Sequence, residues 1–423
     1  MKFVELTEKE FCKFSSQHEQ GSFFQTIELA SLRQSYGSKI HYLGVKDKNK
    51  IVAASMFSET KSLFGKSTFY APRGFLIDYH NFELLSFYKS ELTKYCKSRN
   101  GMMIKIDPNV IYQVRGNDGS ELKEEVKDDI TISNLKKLGF KHYGFNTDFE
   151  FTQSRWNFRV ELNKPYEELK SGFSKSTRKN IDATYKKGVR VRIGTFEDIE
   201  SMEGILFETA NRRGFQSRSL EYYRRMYKHM KDKLNIYIAY LDADIYLESS
   251  ETLLNEAKTR LDEIENKMAV DNIGNKLINQ KETALKQLDK YEEEVNLAIK
   301  FKEEYPKGKD IGVLISLKSG LEYLTLYSGI LADYKKFTPK YAMYNEHLLD
   351  AYKFKIPYAN FYGISGIFDP KDKNYGLYDF KRGFGGNVIE LIGEFTLPLN
   401  FSYYLYNSLH KTKIFLRKIK RKK

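Results

Sequence analysis

The chain has 423 residues, 41% of them hydrophobic and 30% charged, and a formal net charge of +14. Those figures describe a soluble globular protein with room for two or three domains and a sizeable core. No apolar run approaches the roughly 20 residues that span a bilayer, which excludes a transmembrane helix.

Met1–Glu10 is acidic and amphipathic, unlike a signal peptide, so the chain is expected in the cytoplasm. Cys12 and Cys96 have no metal or redox spacing and suit free thiols in a reducing compartment. Residues 1–145 read as an α/β unit. Helices are expected over Thr7–Ser16, Thr26–Tyr36 and Phe82–Ser98, and strands over Ile40–Val45, Ile51–Ser58, Ser67–Tyr70 and Met102–Ile106. Asn109–Asp129 is polar and reads as an irregular surface insertion, followed by a helix over Ser133–Leu138. Hairpin-like pairs among the early strands argue against a purely parallel sheet.

A similar succession begins near residue 146. It runs through a strand at Trp156–Glu161, helices over 165–173 and 176–187, and a strand at Val189–Ile193. Helices over Phe196–Asn211 and Ser219–His229 lead to a strand at Leu234–Leu241.

Tyr246–Tyr305 has a different rhythm. Leu247, Leu254, Ala257, Leu261, Ile264 and Met268 step by three and four, broken only at Ser250. After the turn at 271–275, Leu277, Ala284, Leu288, Tyr291, Val295 and Ala298 repeat the pattern, with Lys281 in one slot. Two such helices predict an antiparallel coiled-coil hairpin reaching roughly 35–40 Å. The strand at Ile311–Leu317 takes up where Leu234–Leu241 stops, so the hairpin reads as an insertion between neighbouring strands. A linker between independent domains would not need to double back. A strand at Glu322–Tyr327, a helix over Pro339–Lys353 and a strand at Tyr358–Tyr362 follow. The expected units are 1–145, 146–245 with 306–400, the arm 246–305, and a basic tail 401–423.

The arm carries fourteen acidic and nine basic residues, a net of −5, so the rest of the chain carries +19. A basic body suits a polyanionic partner such as RNA, anionic lipid or a pyrophosphate. The last thirteen residues hold eight Lys or Arg, with Ile414, Phe415, Leu416 and Ile419 among them. Such a tail suits an anionic membrane surface or RNA, and equally a solvated terminus.

No phosphate-binding Gly-x-x-x-x-Gly-Lys loop, zinc helix or serine elbow is present, and the seven histidines lack metal-ligand spacing, so no metal is expected. The least ordinary stretch is Tyr375–Gly386, where four glycines and four aromatics surround Lys381. A lysine held there in a partly dry place can stabilise an oxyanion. Its local sequence alone reads as a hairpin with a surface lysine. Asp107-Pro108 ends a strand, where a carboxylate faces a cleft or caps a turn. The basic stretches 173–179 and 210–216 border helices and suit phosphate or solvent.

These segments, in this order, resemble the FemABX family of non-ribosomal peptidyltransferases. The resemblance rests on Phe24-Gln25 with the helix to Arg33, Tyr70–Phe75, Ile104–Pro108, Leu138–His142 and Thr152–Arg155. It continues through Ser176–Lys179, Asn211–Phe215, the arm, and Tyr375–Lys381 with Phe384-Gly385. It implies an α/β fold of two GNAT-like (acetyltransferase-like) subdomains. It also implies an aminoacyl-tRNA co-substrate with no separate cofactor, and lipid II as acceptor. The implied setting is the inner face of the plasma membrane, beside other transferases of the family. By position, the resemblance gives Lys381 the role of oxyanion stabiliser. It gives Arg212 and Arg33 contacts to the precursor's phosphates; Arg33 stands where the family has a lysine. Asp107 matches an acidic residue proposed as a base, and Tyr375 and Phe384 fall in the substrate-binding segment. Two other readings stand beside this one. The first is a CoA-dependent acyltransferase, whose pyrophosphate turn would be Arg382–Asn387, imperfect at Asn387. The second is a non-enzymatic adaptor using the arm and the tail.

Overall fold

The computed structural model describes every residue except 63–64, 125, 150–151, 271–273 and 410–423. Its strands begin with β1 (Lys2–Glu5), β2 (Lys39–Asp47), β3 (Lys50–Lys61), β4 (Ser67–Ala71) and β5 (Leu76–Ile77). Then come β6 (Gly101–Ile106), β7 (Ile111–Arg115), β8 (Lys141–His142), β9 (Trp156–Glu161), β10 (Val189–Ile193) and β11 (Leu234–Leu241). The last are β12 (Lys309–Ser319), β13 (Glu322–Ile330), β14 (Tyr358–Ile364), β15 (Asn387–Leu391) and β16 (Phe395–Pro398). They form two mixed sheets. One runs β1-β2-β3-β4-β6-β16-β8 with β5 against β3; the other runs β10-β11-β12-β13-β14-β9-β15-β7. This is the mixed α/β class that the alternation of elements predicts.

The sheets exchange strands. β7 belongs to the first 145 residues but pairs with β15 in the second sheet, Val114 opposite Ile389. β16 comes from the end of the chain and pairs with β6 in the first sheet, Leu397 opposite Ile104. Residues 109–129, expected as an irregular insertion, thus contribute an edge strand. Glu390 on β15 fastens the exchange, accepting from Gln113 and Arg115 of β7 and from Arg155. Each sheet has its own apolar core. A third core joins Phe23, Phe24 and Leu29 to Ile205, Met226 and Val313, so the halves form one packed body.

The arm consists of helices Ala243–Val270 and Asn275–Glu304. They run antiparallel: Lys302 pairs with Asp244 near the root and Lys281 with Glu265 further out, both at 2.8 Å. Those contacts explain the interrupted pattern. Lys281 sits in an apolar slot because it has an ion-pair partner, and Ser250 returns its hydroxyl to Tyr246 O at 2.8 Å. Ala257, Ile264, Ala284 and Ala298 are buried along the seam. At the root, Leu241 and Lys309 are still paired across β11 and β12. Gly308 has φ +83° there, and a Cβ would stand 2.5 Å from Leu241 O, so only glycine fits the turn.

One feature of the second sheet positions the site. β13 and β14 run parallel and pair only from Glu322–Tyr358 to Leu324–Asn360. Beyond that point the two strands diverge, β13 continuing to Ile330 and β14 to Ile364. The crossover between them is helix Pro339–Lys353, whose first turn lies at the open end of the split. β14 is also bulged against β9 between Asn360 and Gly363, with Tyr362 at φ +59°.

Candidate active site

Tyr375–Arg382 is a helix with a buried lysine, which corrects the local expectation of a hairpin and a surface one. Tertiary ring contacts decide the difference. Tyr378 packs edge-on to Phe368 and Tyr375, and Phe380 meets Tyr341 and Tyr344. The helix so anchored turns Lys381 inward, to 4% exposure, against the bulge of β14. Its Nζ donates to the carbonyl oxygens of Tyr362 at 3.2 Å and Gly363 at 2.7 Å. An ammonium has three N–H donors. Two are used, and among the described residues no carboxylate pairs with this one. Burial, and then the positive charge of Lys340, push the Lys381 pKa down to about 7.

Lys340 is half-buried in the first turn of helix Pro339–Lys353, with its ammonium 5.7 Å from the Phe380 ring centre. Burial, then Arg213 and Arg212, hold its pKa at about 8. Arg212 lies in the last turn of helix Ile199–Arg213, donates to Ile330 O at 3.1 Å and lies 3.7 Å from Glu208. A row of cations therefore runs from Lys381 through Lys340 to Arg212 and Arg213. Among the described residues Glu208 is its one ion-pair carboxylate.

The first half supplies a second node. Asp107 lies just past the end of β6 and is buried. One of its oxygens accepts from Tyr70 Oη at 2.7 Å and the other from the Arg73 amide at 2.6 Å. Burial raises its pKa, with Arg73 opposing. The Arg73 guanidinium donates to Ser154 O at 2.6 Å. Arg33 donates to Ser58 Oγ at 2.8 Å and stacks its guanidinium 5.4 Å over the Tyr70 ring. Tyr362 joins the two nodes: its hydroxyl donates to Gln153 at 2.6 Å, its carbonyl accepts from Lys381, and its ring stacks on Phe24. It also lines a narrow cleft between the halves, with Arg73, Asn157, Glu322 and Asn360.

Of the residues singled out by sequence, Lys381, Arg33, Asp107 and Arg212 converge on this region. Tyr375 and Phe384 do not reach the Lys381 ammonium. Tyr375 opens the helix and packs by Tyr378 and the Arg382 guanidinium. Phe384 has no exposed surface and packs on Phe173, Tyr344, Phe361 and Phe380, a core position rather than the substrate-binding one expected. Sequence reasoning missed Lys340 and Tyr362. Lys340 follows Thr338-Pro339, a helix-start signal that says nothing of its neighbours. Tyr362 looks like any aromatic strand residue. Gln153 and Arg73 lie in family-like segments, and only the fold shows what they touch.

Comparison with known proteins identifies the family. The model of the FemAB family matches residues 6–411. The aminoacyltransferase FemB of Staphylococcus epidermidis is 32% identical over 431 aligned positions, covering 99% of this chain and all of that protein. The aminoacyltransferase FemA of the same organism is 30% identical, covering 98% of this chain and all of its own. Among solved structures, FemX superposes with a TM-score of 0.76 at 23% identity, over 96% of this chain and 99% of its own. A tandem GNAT protein of clavulanic acid biosynthesis shares the fold at a TM-score of 0.50 and 7% identity. With nearly its whole length matched, the chain belongs to the FemAB family.

Proposed function

We propose that this chain moves an aminoacyl group from the 3′ ester of an aminoacyl-tRNA to an amine on the stem peptide of lipid II, building the interpeptide bridge of peptidoglycan. The observation that carries the reading is the third N–H of Lys381, a buried donor that no described residue claims. The neutral amine attacks the ester carbonyl carbon, and the carbonyl oxygen becomes an oxyanion. Lys381 donates to that oxyanion from a fixed position. The bond from carbon to the ribose oxygen then breaks, the ribose oxygen takes the proton the amine has lost, and an amide remains. An activated ester and a neutral amine need positioning and oxyanion stabilisation more than a nucleophilic side chain.

Arg212 and Arg33 hold the precursor's pyrophosphate, and Lys340 adds to the field near Arg212. Asp107 has both oxygens engaged within the protein, so its role is to position Tyr70 and the Arg73 loop rather than to take the amine's proton. A lipid-linked acceptor brings the enzyme to the inner face of the plasma membrane as a peripheral protein.

The CoA-dependent alternative loses its pyrophosphate turn. At Gly386 a Cβ would stand 2.4 Å from Arg159 O, so the backbone there lies against β9, and at Asn387 the strand paired with β9 begins. The test is transfer from a pool of tRNA charged with labelled amino acids to lipid II, with and without RNase. RNase-sensitive label on lipid II, or on lipid II already bearing a bridge residue, supports the proposal and names the amino acid. A folded protein that labels neither, yet acylates amines from acyl-CoA, overturns it.

A further inference from the structure

Along a regular strand successive carbonyls point to opposite edges, so one side chain does not reach two of them in a row. Lys381 does: its Nζ donates to the oxygens of both Tyr362 and Gly363, at 3.2 and 2.7 Å. The bulge in β14 is the reason. From Asn360 opposite Arg159 to Gly363 opposite Asn157, β14 advances three residues while β9 advances two. Tyr362 absorbs the extra residue in the left-handed region, at φ +59°. Glycine adopts that conformation freely and an aromatic residue rarely does, so the surroundings must hold it.

Three contacts hold it. Asn360 Oδ1 accepts from the Tyr362 amide at 2.8 Å. Asn360 Nδ2 donates to Glu322 at 3.1 Å, which ties the turn to β13 at the closed end of the split. The Tyr362 hydroxyl donates to Gln153 at 2.6 Å, and its ring stacks on Phe24 with centroids 6.0 Å apart. Phe24 belongs to the first half of the chain, so both halves clamp the bulge. At Gly363 a Cβ would stand 2.9 Å from Ser154 Oγ, and the backbone reaches that close only without a side chain.

We propose that Tyr362, held by Asn360, is the positioning residue for the Lys381 ammonium: its left-handed turn aims two successive carbonyls at that group and so fixes the direction of the N–H left for the oxyanion. The inference deepens the function proposed above and rests on it for the oxyanion. Tyr362 acts through Lys381 and not on the reacting atoms. A straight strand would offer the lysine one carbonyl and leave its other two N–H groups without a fixed direction.

The carbonyls also favour the charged form of the lysine. Of the charged groups on the elements packed around it, Lys340 opposes that form. Asp379 and Arg382, on its own helix, pair with each other at 2.8 Å, and Arg159 of β9 faces Glu322 at 3.9 Å. Arg178 donates to the carbonyls of Ser171 and Phe173, and Asp107, beyond Tyr362, is engaged by Tyr70 and Arg73. Parting the two carbonyls therefore lowers the Lys381 pKa further. The alkaline limb of the rate then moves to lower pH.

The experiment compares Tyr362→Gly, Tyr362→Val and Asn360→Ala in the full chain. The first two both remove the ring and the hydroxyl, but glycine keeps access to the left-handed turn and β-branched valine does not. Relative to wild type, kcat should fall about tenfold in Tyr362→Gly and about a hundredfold in Tyr362→Val, with KM within about twofold in each. The alkaline limb should move further in Tyr362→Val. Asn360→Ala leaves the ring in place and should lose about tenfold in kcat with a shift in the same direction. A side-chain NMR titration of Lys381, assigned with Lys381→Met, reads the same change without substrate. A loss in Tyr362→Val no larger than in Tyr362→Gly overturns the proposal. So does an unmoved Lys381 titration in Asn360→Ala, which decides the matter should the Tyr362 variants fail to fold. Absence of transfer by wild type would count against the proposed function and leave the NMR result standing.

Discussion

The two nodes of the candidate site hold buried charges of opposite sign, and their surroundings differ in kind. Around Asp107 each oxygen has a donor: a tyrosine hydroxyl on one and a backbone amide on the other. Around Lys381 the described residues supply two carbonyl oxygens, no paired carboxylate, and a second lysine nearby. A carboxylate answered by a donor at each oxygen is a structural joint. A lysine with an unclaimed N–H and a like charge beside it is a group awaiting a negative partner. The comparison assigns architecture to the first half's carboxylate and chemistry to the second half's lysine.

The sharpest way to break that contrast is Lys381→Met. Transfer should fall about 10²–10³-fold in kcat, the range seen when a preorganised oxyanion donor is removed. The same change should stabilise the fold. The lysine's folded pKa, about 7, lies below its unfolded value of 10.5. Between those values the unfolded chain holds more protons, so wild-type stability rises as pH rises through this window and is lowest below it. Methionine removes that dependence and should add about 1–3 kcal/mol at neutral pH, measured by denaturant titration at pH 7 and pH 9. A variant both less stable and nearly as active would end the distinction between joint and reagent.

Lys340→Met tests the cation row. With one like charge gone, the ammonium form of Lys381 is favoured and its pKa moves up from about 7. The rate, which needs that form, should then decline at a more alkaline pH than in wild type, with a loss at neutral pH of about tenfold or less carried mainly in KM. An unmoved alkaline limb would mean that the two lysines do not communicate.

Asp107→Ala probes the other node. Losing two buried hydrogen bonds should cost about 2 kcal/mol of stability, while kcat per folded molecule drops less than about tenfold. A general base would show a loss of about 10²-fold or more with stability little changed, so the split between Tm and kcat discriminates. The smallest effect is expected at the arm root. There Glu294 accepts from Tyr246 and pairs with Lys336 at 2.8 Å, just ahead of the helix that carries Lys340. Glu294→Gln should cost about 0.5–1 kcal/mol, read by thermal melt, and leave kcat within about twofold.

Much of the scaffold follows from local sequence. Strands Trp156–Glu161, Val189–Ile193 and Leu234–Leu241 and helices Phe82–Ser98 and Pro339–Lys353 lie where periodicity places them. Side-chain period and start and stop signals are properties of neighbouring residues, so the chain announces them. β7, β15 and β16 are short and gain their stability from partners far away in sequence. For the same reason Asn109–Asp129 reads as irregular although it supplies a strand to the opposite sheet. The site divides in the same way. Lys381 stood out through its glycine and aromatic setting, and its role and those of Arg33, Arg212 and Asp107 came from family resemblance. Lys340 and Tyr362 carried no local mark.

By itself, then, the sequence determined element types, the three-four seam of the arm, the excess of positive charge outside it and the unusual company of Lys381. Tertiary structure alone decided the depth of that lysine, the carbonyls it meets and the cation beside it. Burial and charge proximity arise only when β14 bulges, β13 parts from it and ring packing turns helix Tyr375–Arg382 inward.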